Sequence, residues 1–371
     1  MILFSALVGS FIYGWYFDPS TAGAADGWAD QSLYSSAAAD LSRGALPERG
    51  TLHYQMLYPL MGALGFLFLP SDPFLPVSFA LFIGSAAFLF FAARHHLGWK
   101  WAITFVALVF VWDLHGRSFN YVSELFVVPW NNQAVFFSFG YFFWLLTTRM
   151  APEGRSVSHW IYLSSGLVTG VTIGSREESA LFLVPLLVYF LVRSRAGLRM
   201  WTITLGSIFV GYLPHLIIKT LVLGNLGNTG RQASYLEALS RYMSFERLSA
   251  NILDVLVSSS ARGVEADRLA LLEAAPWLWL TPLGLVLYLA DRTQSPAVKV
   301  YLVASVALFL FYLAGENMSL GKLRFHCIRY ITPALIGMNF AVIYAFAFAA
   351  NRMRVRGRRR SPEHLEDVLP H

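Results

Sequence analysis

The chain has 371 residues, of which 56% are hydrophobic and only 13% charged, with a formal net charge of +6 and a mean hydropathy of +0.52. A soluble domain carries about 25% charged residues, so this composition excludes an ordinary soluble enzyme and reads as a polytopic membrane protein. The single Cys327 excludes an internal disulfide and a Cys-rich metal site, and basic residues spread between apolar runs exclude a nucleic-acid footprint.

Residues 1–16 are apolar but short for a span. The alternative is a signal peptide cleaved near Ala22-Gly23-Ala24, against which stands the missing basic n-region. The first long polar break follows, from Asp26 to Pro59. It carries Asp26, Asp30, Asp40 and Glu48 just outside a membrane. Asp30, Tyr34, Ala38 and Leu41 recur at near-helical spacing. This predicts a helix lying along the bilayer surface with Leu33, Ala37 and Leu41 down and Asp30 at its N-terminal end. A carboxylate there is either a general base or an N-cap.

Tyr54 to Leu69 is apolar, with Pro59 and two glycines, and borders on span length. Apolar runs then follow at 74–93, 101–114, 133–148, 160–174, 179–192, 201–218, 276–290, 300–313 and 330–349. If Tyr54–Leu69 does not cross, five basic clusters share one side: Arg94–Lys100, Arg149–Arg155, Arg193–Arg199, Arg292–Lys299 and Arg352–Arg360. That is what the positive-inside rule requires of a cytoplasmic face. The expected architecture is an all-α bundle of about ten spans over residues 1–350, with both termini cytoplasmic. Residues 18–69 form a first external loop with juxtamembrane helices, and Tyr54–Leu69 is re-entrant or interfacial. Residues 219–273 form a large external loop, and 351–371 a basic cytoplasmic tail whose acidic end is read as disordered.

The remaining chemistry falls on the opposite face. Ser175-Arg176-Glu177-Glu178 interrupts two apolar runs. Its charges either face water at a helical hairpin, or Arg176 pairs with a lipid phosphate or orients a carboxylate. Gly166, Gly170 and Gly174 precede it at spacing four, a face that lets another helix approach closely. Lys322, Arg324, His326, Arg329 and Tyr330 crowd one loop, against the charge trend. They either pair with acids of the 219–273 loop or cradle a phosphate, which Arg grips bidentately. Glu124, Trp130, Asn131 and Asn132 supply a carboxylate, a stacking ring and amides, the groups that hold sugars; an interfacial Trp with capping amides is the plain alternative. His215 reads as packed within the bundle. The histidines form no metal constellation.

Asp30, Tyr34, Ala38, Gly44 and Tyr58-Pro59 together resemble the first external loop of GT-C glycosyltransferases. These membrane enzymes include protein mannosyltransferases and aminoarabinose transferases and take sugars from polyprenyl-phosphate carriers. The single Pro59 departs from the family's proline pair. The glycine-rich run into Arg176-Glu177, with Pro185 beyond, and Arg329-Tyr330 followed by Pro333 are similar to later parts of the same family. The resemblance implies a catalytic carboxylate from Asp30, with Asp26 and Glu124 as candidates beside it. It implies a donor-phosphate cradle of Arg176, Lys322, Arg324, Arg329 and Tyr330. Sugar or acceptor contacts fall to Tyr34, Tyr58, Trp130, Asn131, Asn132, Glu177 and His326. The implied partners are a polyprenyl-phosphate sugar, a glycan, lipid or protein acceptor, and membrane lipids, with no nucleic acid. No cofactor is fixed, and a divalent metal is left open. The other function class is a transporter or flippase of lipid-linked sugars, which usually shows internal repeats and broken spans at matching positions. None is visible here.

Overall fold

In a computed structural model of the chain, the described residues are 2–16, 29–48, 55–110, 125–126, 131–150, 157–223, 244–252, 256, 271–315 and 330–359. Among them every regular element is helical. The physical reason lies in the composition. Apolar runs placed in lipid find no water for their peptide groups, and a helix satisfies those groups within the segment itself.

Among the described residues, four helices are long and apolar enough to cross a membrane: α4 (Leu75–Leu97), α9 (Leu198–Leu223), α13 (Pro296–Leu313) and α14 (Thr332–Arg359). Shorter apolar helices accompany them. These are α1 (Ile2–Tyr16), α5 (Trp99–Phe110), α6 (Asn132–Thr148), α7 (His159–Ser175), α8 (Ala180–Arg193) and α12 (Thr281–Ala290), while α10 (Phe245–Asn251) and α11 (Leu271–Ala274) are short segments between α9 and α12. The protein is thus a multi-pass membrane helical bundle. Side-chain contacts fix which helix ends lie together. Tyr141 Oη and Ser164 Oγ are 2.8 Å apart, and His96 Nε2 lies 2.9 Å from Tyr288 Oη. Tyr162 packs on Phe190 at 5.4 Å. These contacts join α6 and the C-terminal end of α8 to the N-terminal part of α7, and the C-terminal end of α4 to that of α12. At the other end, Asn131 and Asn132 at the start of α6 meet Ser175 and Arg176 at the end of α7, and Phe182 of α8 meets Phe311 of α13.

The interior is largely aromatic. Phe143 of α6 packs 4.8 Å from Tyr301 and 4.9 Å from Phe340, and Phe82 of α4 lies 5.0 Å from Phe110. The last two pairs meet edge to face, a geometry that stabilises by about 0.5–1.5 kcal/mol beyond the area buried, which matters where lipid offers no hydrophobic drive between helices.

The tightest helix pair is α7 with α9, and glycine makes it possible. A Cβ on Gly166 would sit 2.3 Å from the Thr204 carbonyl oxygen, and one on Gly170 2.1 Å from that of Ile208. The two backbones touch, as the spacing-four glycines predict. Gly174 carries the same face onward to Leu57 and Tyr212. Pro214 lies inside α9 and removes one backbone donor from that helix in its C-terminal half.

The stretch Tyr54–Leu69 is resolved by length. Its helix, α3 (Leu57–Gly65), has 9 residues, roughly 14 Å against a hydrocarbon core of about 30 Å. It does not cross. The chain turns back beside it, so that Gly65 abuts the Pro73 carbonyl. α2 (Ala29–Ser42) packs on α3 and is a helix where the spacing from Asp30 to Leu41 predicts one. Its buried face is Gln31, Tyr34, Ala37 and Ala38. Leu33 and Leu41 are half-buried, so the inward stripe is turned from the Leu33–Ala37–Leu41 line toward Tyr34 and Ala38, because Tyr34 docks on Tyr58.

Candidate active site

At the bundle end where α7 stops, Arg176 leaves the helix with an extended backbone, φ −160° and ψ 101°. Its amide still donates to the Thr172 carbonyl at 2.7 Å. The side chain is 7% exposed. Burying a guanidinium without partners is prohibitively costly, and the surroundings supply them. Nη2 lies 2.6 Å from Glu178 Oε1. Nη1 donates to Asn132 Oδ1 at 2.8 Å. The guanidinium lies 4.3 Å from the centre of the Tyr330 ring and 5.9 Å from that of Tyr312, and those two rings stack at 5.5 Å. Burial opposes the charge, but Glu178 and the two tyrosines outweigh it, so Arg176 is held above even its usual range. Its Nε has no hydrogen-bond partner among the described residues.

The sequence around this arginine explains its placement. The asparagine pair at the start of α6 binds two consecutive residues of the α7 terminus. Asn131 Nδ2 donates to the Ser175 carbonyl at 2.9 Å, closing one of the orphan carbonyls of a helix end, while Asn132 holds the arginine. A further tie joins Ser138 of α6 to Thr172 of α7.

Glu177 turns the other way, toward α9. Its Oε1 lies 3.4 Å from Tyr212 Oη, 3.4 Å from His215 Nε2 and 3.7 Å from Lys219 Nζ. Positions 212, 215 and 219 share one face of a helix. His215 is buried, and its Nδ1 accepts the Met56 amide proton at 3.1 Å. That bond fixes the proton of the neutral ring on Nε2, facing Glu177. The two neighbouring glutamates therefore have separate tasks: Glu178 balances Arg176, and Glu177 ties α9 and the start of α3 to the same turn.

Of the residues expected in the site, the structure brings Arg176, Glu177, Asn131, Asn132 and Tyr330 together. The asparagine amides face the 175–176 turn. Tyr34 of α2 and Tyr58 of α3 are buried rings 5.5 Å apart, with Tyr58 stacked on Phe74 at 5.1 Å. Asp30 belongs to the first turn of α2, but its side chain lies outside the described residues. So do Asp26, Glu124, Trp130, Lys322, Arg324, His326 and Arg329. Tyr312, Tyr212, His215, Lys219 and Glu178 join the site without having been expected there. For Tyr212, His215 and Lys219 the helical spacing at the end of an apolar run was the available signal. For Tyr312 there was none, because its role depends on α13 ending beside α7. No group of three or more His, Cys, Asp or Glu side chains suited to a metal occurs among the described residues.

No family model matches the sequence, and no curated protein matches it. The fold does have a structural counterpart. The chain is similar to the crystal structure of ArnT from Cupriavidus metallidurans bound to undecaprenyl phosphate, with a TM-score of 0.61 over 92% of this chain at 14% sequence identity. The match covers 59% of that protein's length. The chain therefore has an ArnT-like membrane helical fold.

Proposed function

We propose that this protein is a GT-C-type membrane glycosyltransferase, moving a sugar from a polyprenyl-phosphate donor to an acceptor on the outer face of the cytoplasmic membrane. The carrying observation is Arg176, a buried cation with an unsatisfied Nε, walled by Tyr312 and Tyr330 at one end of an ArnT-like bundle. One carboxylate partners it directly, and an oxyanion of a lipid phosphate would complete its hydrogen bonding. ArnT was crystallised with such a carrier, which supports the same class of partner here.

In this reading the acceptor oxygen attacks the anomeric carbon. The bond from that carbon to the phosphate oxygen breaks, and the electron pair stays on the departing polyprenyl phosphate. Asp30 takes the acceptor proton, with Asp26 and Glu124 as its rivals. Arg176 and Tyr330, joined by Lys322, Arg324 and Arg329, stabilise the charge on the leaving phosphate. Glu177, Trp130 and His326 are assigned to the sugar or acceptor. Asn131 and Asn132 hold the arginine turn, and Tyr34 and Tyr58 shape the wall of the first loop. The acceptor is a glycan, lipid or protein of the cell envelope. A divalent metal stays open.

The test is to incubate purified protein with a radiolabelled polyprenyl-phosphate sugar and candidate acceptors in detergent. Loss of label from the lipid, dependent on protein, supports transfer. If the sugar crosses between leaflets of a vesicle with its phosphate bond intact, the flippase reading replaces this one.

A further inference from the structure

The end of the bundle away from Arg176 has a different electrostatic character. Arg94 and Lys100 flank the α4–α5 corner, and Arg149 follows α6; all three are exposed. The short connection from α8 to α9 carries Arg193, Arg195 and Arg199, also exposed. Arg292 follows α12, and Arg352 lies in the last part of α14. None of these side chains has a carboxylate within ion-pair distance among the described residues, where the ion pairs belong to Arg43, Arg176, His215 and Lys219. Asp291 is the one described carboxylate at this end. It is occupied by Thr293, Gln294 and Tyr344, which donate to it at 2.7–3.1 Å. Lys299 is spent as well, donating to the carbonyls of Leu289 and Asp291 at the end of α12.

We infer that this end is a binding surface for the headgroups of anionic phospholipids in the leaflet it meets. Unpaired cations on a folded surface repel one another unless something negative lies against them. Here the described part of the chain sets no carboxylate against these cations, Asp291 being held by its own partners, and the membrane lies alongside. The aromatic neighbours agree. Lys100 lies 5.6 Å from the ring of Trp99, and Arg149 lies 5.2 Å from that of Trp144. Trp99 and Trp160 are 59% and 74% exposed at the same level. Exposed tryptophans mark headgroup depth, so the cations beside them sit where lipid phosphates are. Arg195 adds a backbone observation. It holds φ 51°, the left-handed conformation that favours glycine. That turn points the chain from α8 into α9 with three arginines clustered at one corner. The inference does not depend on the sugar-transfer reading.

The experiment uses the full chain in nanodiscs of phosphatidylcholine with or without phosphatidylglycerol. Lipid retained after release is counted by native mass spectrometry, and the thermal midpoint is read in parallel. The wild type should retain phosphatidylglycerol over phosphatidylcholine and melt higher in its presence, with both effects fading at high salt. The triple variant Arg193→Gln/Arg195→Gln/Arg199→Gln should lose selectivity by roughly fivefold for each cation removed. Arg43→Gln, at the opposite end and paired with Asp40, should keep it. Should wild type and triple variant retain the two lipids equally, the inference is overturned. It is also overturned if selectivity appears only after residues 360–371 are deleted, which would make the chain's own acidic end the occupant. The double variant Arg94→Gln/Arg149→Gln, on other helices, gives a second reading if the triple variant does not fold.

Discussion

Asn132 Oδ1 accepts a hydrogen bond from Arg176 Nη1 at 2.8 Å across the interface of α6 and α7. The adjacent Asn131 donates to the Ser175 carbonyl at 2.9 Å. Two consecutive amides thus hold two consecutive residues of a helix terminus. This clamp gives Arg176 one orientation in a region where an arginine side chain otherwise has several.

Asn132→Leu removes the acceptor while preserving much of the volume. The guanidinium then loses a buried charge-assisted bond, a loss of about 1.5–3 kcal/mol. The thermal midpoint should fall, and sugar release from a polyprenyl-phosphate donor should fall at least tenfold. Asn131→Leu, which frees only a carbonyl, should lower the midpoint with a smaller effect on turnover. Equal effects of the two variants on turnover would show that the clamp acts through folding alone.

Arg176→Lys tests the arginine without removing the charge. An ammonium cannot reach Asn132 and Glu178 together while lying against the Tyr330 ring. Turnover at low donor concentration should drop about ten- to hundredfold, with a modest loss of stability. Arg176→Ala also strips Glu178 of its partner. It should destabilise toward the lower part of the roughly 3–5 kcal/mol typical of a broken buried pair, since Glu178 keeps some contact with water. Full turnover in a folded Arg176→Lys protein would remove this residue from the donor site.

Asp30→Asn keeps shape and loses basicity. Donor binding should persist while turnover falls by a factor of about 10²–10⁴. Asp26→Asn and Glu124→Gln are the matched controls. If Asp26→Asn alone abolishes turnover, the base lies upstream of α2. If all three retain it, the transfer chemistry assigned to these carboxylates is wrong.

The α7–α9 contact makes a packing prediction. Gly170→Ala drives a methyl into the Ile208 carbonyl. The helices must separate, at a cost of about 1–3 kcal/mol or more. Gly206→Ala, with nothing within 4 Å of the new methyl, should be neutral or stabilising by up to about 1 kcal/mol. Thermal midpoints in one detergent distinguish the two, and a harmless Gly170→Ala would contradict the close approach.

Asp291 gives a pH dependence at the other end. Hydrogen bonds from Thr293 and Gln294, with Tyr344 adding to them, hold its carboxyl well below the usual aspartate value. A depressed folded-state pKa contributes stability above the unfolded value, about 3.9. That stability is lost as pH falls below it. The midpoint of the wild type should therefore decline more steeply below about pH 4 than that of Asp291→Asn, while the two differ by a constant amount near neutrality. Parallel curves throughout would mean that the bonds around Asp291 are not made in solution.

Much of the bundle was legible without coordinates. Long apolar runs with few charges satisfy their peptide groups within one segment only as helices, so helices follow from composition. The shortness of 54–69, the clustering of basic residues and the spacing of Gly166 and Gly170 are likewise local patterns, and each corresponds to something in the fold. The Arg176 site was legible only in part. A run of Ser-Arg-Glu-Glu between two helices does not say whether its charges face water or the interior. That was decided by what packs against it: Asn132 from 44 residues upstream, and Tyr312 and Tyr330 from two helices that end at the same level. The division of labour between Glu177 and Glu178 has the same origin. Both carboxylates have the same chemistry and adjacent positions. Only the tertiary arrangement directs one to Arg176 and the other to Tyr212, His215 and Lys219, because electrostatic pairing depends on distance through space and the sequence records only distance along the chain.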